Sequence, residues 1–104
     1  MLLKNALPQV AEELAHGFHL EGRDDLSEQV AQLELVDRCS CSDDFCASFY
    51  TQPKMSWEGK EVERFILRMK GLFCLHTVNG VVAHVELLQR PEVRDRLREL
   101  FPLQ

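Results

Sequence analysis

The sequence predicts an α+β fold: a five-stranded antiparallel β-meander with two N-terminal helices and one C-terminal helix. Three observations carry the prediction. Apolar residues recur at helical spacing near both ends of the chain. From Glu34 to Leu88 the pattern changes to short runs rich in β-branched, aromatic and cysteine residues. Those runs are punctuated by Ser42-Asp43-Asp44, Lys70-Gly71 and Asn79-Gly80, residues that turn a chain.

The elements follow in order. Pro8 suits the first turn of a helix, where its missing N–H costs nothing. Leu7, Val10, Leu14 and Phe18 give that helix an apolar stripe, and Gly17 is read as its stop. Asp25 and Glu28, three apart like a capping box, open a second helix with Leu26, Val30 and Leu33 on one side. Strands are expected at 34–41, 45–51, 62–69, 72–78 and 81–88, with a loop over 52–61 that contains Pro53 and Gly59. Pro91 opens the last helix, whose inner face is Val93, Leu97, Leu100 and Phe101.

Two-residue turns fix register. With Asn79-Gly80 as a turn, His76 faces Ala83, Cys74 faces Val85 and Leu72 faces Leu87. One face then collects Phe65, Leu67, Met69, Leu72, Cys74, Val78, Val81, Ala83, Val85 and Leu87, and reads as core. On the other, Ile66, Phe73, Leu75 and Val82 form an apolar patch among polar neighbours. Such a patch marks a partner surface.

A length of 104 residues fits one domain, 1–104, able to bury a core without metal or disulfides. A hydrophobic content of 45% and a charged content of 28% exclude wholesale disorder. The net charge of −5 argues against nucleic acid as a partner, because such binders need clustered Lys and Arg. No run reaches the roughly 20 apolar residues that span a bilayer, and Met1-Leu2-Leu3-Lys4-Asn5 is not an export signal. A cytoplasmic protein with reduced cysteines and no membrane partner is therefore expected.

The chemistry-bearing segment is Cys39-Ser40-Cys41-Ser42-Asp43-Asp44-Phe45-Cys46, with Cys74 in a later strand. Zinc needs four Cys or His side chains converging on one point. Cys39, Cys41 and Cys46 supply three, and Cys74, His76 or His84 would supply the fourth. Loop parity decides between metal site and packing. An even loop sets Cys41 opposite Cys46 and puts all three thiols on one sheet face. An odd loop, Ser42-Asp43-Asp44, puts Cys39, Cys41 and Phe45 in the core and Cys46 on the other face. The odd loop separates apolar from polar residues more cleanly and is the register expected here. Cys74 and His76 run parallel on one strand, so no Cys-His nucleophile is expected. No phosphate loop, Gly-x-Ser-x-Gly or His-Glu-x-x-His motif is present.

The stretch from Val36 to Thr51, together with Arg90-Pro91-Glu92-Val93-Arg94, resembles small bacterial proteins that carry a Cys-x-Cys-x4-Cys segment and no functional name. The resemblance covers most of the chain. It implies a bacterial cytosolic origin and no activity, cofactor or site residue. The expected function is a non-catalytic interaction or regulatory module without a cofactor. Its partner would be a protein or a second copy of the chain, docked through Ile66, Phe73, Leu75 and Val82. The alternative is a zinc-binding or thiol-redox protein using Cys39, Cys41 and Cys46, with Cys74.

Overall fold

The computed structural model describes residues 1–102. Its N-terminal third is helical: a single turn α1 (Leu3–Ala6), then α2 (Pro8–Leu20), α3 (Asp24–Gln29) and a 3-10 turn at Val30–Gln32. Pro8 starts α2 as expected, and Val10, Leu14 and Phe18 are its buried stripe. The helix runs through Gly17 instead of stopping there. Glycine lets α2 pack closely there, since a Cβ at that position would lie 3.0 Å from the Leu67 side chain. The capping box at Asp25 does not form; that carboxylate pairs with the Arg23 guanidinium at 3.1 Å.

The fold class is α+β, with one five-stranded antiparallel sheet in the order β1-β2-β5-β4-β3. The strands are β1 (Asp37–Arg38), β2 (Phe49–Tyr50), β3 (Val62–Phe65), β4 (Leu72–Val78) and β5 (Val81–Leu87), followed by α4 (Pro91–Leu100). Strands β3, β4 and β5 form the meander. The β1–β2 hairpin attaches at β5, not at β3. The connection from Thr51 to Glu61 must therefore pass from one side of the sheet to the other. Lys54 rests over the Tyr50 ring and Trp57 on the His76 ring, so this connection covers part of one sheet face.

Asn79 and Gly80 both take positive φ, as a tight primed turn requires. The register starts as predicted, with Val78 opposite Val81, and ends as predicted, with Leu72 opposite Leu87. Between these ends it slips by one. Cys74 pairs with Glu86, Leu75 with Val85 and His76 with His84. Ala83 is the extra residue of β5 and Phe73 the extra residue of β4, two bulges that cancel.

The slip reverses the expected faces of β4 from Cys74 onward and of Val81 and Val82 at the start of β5, while Val85 and Leu87 stay in the core as expected. Leu75 and Val82 are completely buried and join Val85, Leu87, Phe49, Phe18, Leu14 and Leu97 in the core. Cys74, expected in that core, lies on the other face with its partner Glu86. A two-residue turn at Lys70-Gly71 would set Phe65 opposite His76; Phe65 lies opposite Leu75 instead, because residues 66–71 are a longer connection than a two-residue turn.

Arg90 ties the layers together. It is 2% exposed, and its guanidinium meets both oxygens of Glu13 on α2 at 3.0 and 2.8 Å and the Lys70 carbonyl at 3.2 Å. Burial opposes its charge, but Glu13 and Glu92 outweigh it and hold the pKa above the ordinary arginine value.

Candidate functional sites on the hairpin and the outer sheet face

The β1–β2 register sets the geometry of the first three cysteines. Asp37 pairs with Tyr50, Arg38 with Phe49, and the Cys39 N–H donates to the Ser48 carbonyl. Continued by two residues, this pairing places Cys41 opposite Cys46. The loop is therefore even, which corrects the odd-loop expectation. Phe45, read as core, is 53% exposed. Cys39 and Cys41 are half-buried rather than core residues.

The reason lies at the outer end of the hairpin. The Cys46 N–H donates to the Asp43 carbonyl, closing a tight turn inside the loop. The Gln89 N–H donates to the Phe45 carbonyl, and Cys46 bridges Leu88. These bonds anchor the hairpin to the segment after β5, an interaction that hydrophobic patterning within 39–46 does not contain.

The three thiols converge. The Sγ atoms of Cys39, Cys41 and Cys46 all lie within 4.8 Å of one another. A tetrahedral zinc site with Zn–S bonds of about 2.3 Å has sulfur–sulfur edges of about 3.8 Å. The cluster would contract by about 1 Å at most to grip such an ion. Cys74 belongs to a different cluster and is not a fourth ligand here.

The thiols also polarise one another. Cys41 is pushed up to about 12, first by its hydrogen bond to Cys46, then by burial and by Cys39. Burial works against a Cys46 thiolate. The Ser48 N–H and the Cys41, Ser48 and Cys39 side chains together outweigh it and lower its pKa below the usual thiol value. Cys46 is thus favoured as a thiolate, with Cys41 as a hydrogen-bond donor to it.

The outer face of β4–β5 holds a second group. Cys74, His76 and Glu86 each offer a ligand atom within 4.8 Å of the other two. His84 sits opposite His76, with its Nδ1 3.7 Å from Glu86 Oε1. Tyr50 stacks on the His84 ring at 4.5 Å, and Trp57 lies against the His76 ring at 5.0 Å. A cleft of about 310 Å³ opens over these rings, walled by Pro53, Lys54 and Met55 from the crossing loop. Burial lowers the His84 pKa and raises that of Cys74.

The expected interaction patch is divided. Ile66 and Phe73 are exposed at 63% and 54%, but Leu75 and Val82 are core residues. Phe73 protrudes because it is a bulge residue. Arg38 is buried and donates from Nε to the Phe101 carbonyl at 2.7 Å. Sequence reasoning missed the grouping of Cys74, His76, His84 and Glu86. Their i,i+2 spacing on two adjacent strands was the available signal, and the bulges concealed it.

Among the described residues, no helix is long and apolar enough to cross a membrane. Comparison with known proteins finds no matching family model, no matching curated protein and no matching solved structure.

Proposed function

We propose that the protein is a small non-catalytic binding module of the cytoplasm whose ligand is a soft metal ion, zinc foremost, held by Cys39, Cys41 and Cys46. The single observation that carries this reading is the convergence of the three Sγ atoms within 4.8 Å. A packing role needs no such convergence. Thiolates are the ligands soft ions prefer, and the Ser48 and Asp43 N–H groups that face Cys46 and Cys41 would steady their charge. Three protein ligands leave a fourth position open, to water or to a donor from a partner. Ile66 and Phe73, both exposed, support a second reading in which a protein or another copy of the chain docks on them.

The test is elemental analysis of the full chain purified without chelator under reducing conditions, beside a Cys41→Ser/Cys46→Ser variant. Stoichiometric zinc in the wild type and one equivalent less in the variant is the expected result. Equal metal content in both chains overturns the assignment. A metal-free wild type that reversibly loses two hydrogens on mild oxidation overturns it too, in favour of a thiol–disulfide pair.

A further inference from the structure

We propose that the outer face of β4–β5 is a second cation site, in which Cys74, His76 and Glu86 bind a divalent ion of the zinc class. The argument begins with register. Had β4 and β5 paired without bulges, Cys74 would oppose Val85 and His76 would oppose Ala83. With Phe73 and Ala83 bulged, Cys74 opposes Glu86 and His76 opposes His84. Four potential donors then occupy adjacent places of one ladder on one face. Directly opposed side chains have Cβ atoms about 4.5–5.5 Å apart, close enough to share one ion. Three of the four do converge, with ligand atoms within 4.8 Å of one another. Bulges re-aim side chains and are enriched beside functional sites.

A second observation points the same way. His76 Nδ1 is shielded from solvent and has no hydrogen-bond partner. A buried ring nitrogen without a partner is costly, and a ligated ion would satisfy the imidazole. His84, 3.7 Å from Glu86 Oε1, is placed to hold that carboxylate from outside the coordination sphere. Trp57 and Tyr50 lie against the His76 and His84 rings and fix their orientation. Arg64, across the β3–β4 pairing from His76, is exposed. One sulfur, one nitrogen and one oxygen donor suit a borderline ion better than a soft monovalent one. His76 and Glu86 line the cleft, so a coordination position can open into it.

Trp57 makes the site separable from the hairpin trio, because it is the chain's one tryptophan and touches His76. The experiment is a Co2+ titration of the full chain under reducing conditions, read by Trp fluorescence and by thiolate-to-cobalt absorption. Wild type should bind two equivalents, one of which quenches Trp57. Cys41→Ser/Cys46→Ser should keep the quenching equivalent and lose most of the absorption. Cys74→Ser and Glu86→Gln, checked as folded by circular dichroism, should lose the quenching equivalent and keep most of the absorption, which the trio supplies. His84→Asn should weaken the quenching equivalent about 10–100-fold, as loss of an outer-shell partner does. Quenching that is absent from wild type, or unchanged in both Cys74→Ser and Glu86→Gln, overturns this site whatever the hairpin trio does. Absorption unchanged in Cys41→Ser/Cys46→Ser overturns the hairpin reading alone.

Discussion

The two cysteine-bearing clusters are built in opposite ways. The hairpin trio comes from eight consecutive residues, Cys39 to Cys46, and is all sulfur. Its scaffold is a two-residue strand pair, β1 with β2. The outer-face group comes from the two longest strands and mixes sulfur, nitrogen and oxygen. Trp57 and Tyr50 pack on it from the side. A short hairpin contributes little stability of its own, so the trio can adjust its sulfur–sulfur distances to an ion. The β4–β5 ladder is the backbone of the core and can adjust little. An ion bound at the trio would therefore add rigidity to the hairpin, whereas the outer-face group is rigid before one arrives.

The comparison breaks most readily at the bulged register, since the outer-face group exists only because of it. Phe73 and Leu75 lie two residues apart, yet one is a bulge residue in solvent and the other is fully buried. Leu75→Ala should cost about 2–5 kcal/mol, the range for a large core residue truncated. Leu75→Lys should cost more, leaving a charge without a partner in the core. Phe73→Lys should change stability by no more than about 0.5 kcal/mol. Urea denaturation measures all three. Equal losses for Phe73→Lys and Leu75→Lys would mean that the two share a face, and the outer-face donors would then not be opposed.

Stability against metal sharpens the difference next. An ion bound only by the folded state stabilises by about 2.7 kcal/mol when its concentration is a hundred times the dissociation constant. Zinc at that excess over the trio should raise the melting temperature of the wild type and of Cys74→Ser. It should raise that of Cys41→Ser/Cys46→Ser by less. A larger rise in the double variant would place the stabilising ion on the outer face instead.

Much of the fold was legible in the residues. Pro8 and Pro91 mark helix starts, Asn79-Gly80 marks the tight turn, and the β-branched and aromatic runs place five strands, although β1, β2 and β3 are shorter than the 34–41, 45–51 and 62–69 expected. What was hidden is what depends on distant chain. The bulges at Phe73 and Ala83 leave no local signature, because alternation reads equally well one residue either way. Loop parity at 42–45 was misread because apolar patterning placed Phe45 inside. The Gln89 N–H, 44 positions away, instead holds its carbonyl at the surface. Arg90, beside Pro91, looked like a helix-start residue. Its burial against Glu13 is a contact across 77 positions. The clustering of Cys39, Cys41 and Cys46 was visible as a possibility, but the choice between site and packing rested on parity alone.

The smallest expected effect is chemical selectivity among the four thiols of the metal-stripped protein. The thiolate is the nucleophile, so alkylation follows the thiolate fraction and its access. The pKa of Cys46 is lowered, and the residue is half-buried. That of Cys41 is about 12 while Cys46 accepts its hydrogen bond. Cys74 is buried and raised by that burial. Iodoacetamide, followed by peptide mass spectrometry across pH, should label Cys46 first, with a rate that rises through a midpoint below the usual thiol range. Cys41 should stay slow until the solution is strongly alkaline, and Cys74 should be slow throughout. Cys46→Ser removes the sulfur acceptor that holds the Cys41 proton, so Cys41 should then react at lower pH than in the wild type. A Cys41 rate unaffected by Cys46→Ser would show that the two thiols do not share a proton. The hairpin trio would then be three separate side chains, as independent of one another as each is of Cys74.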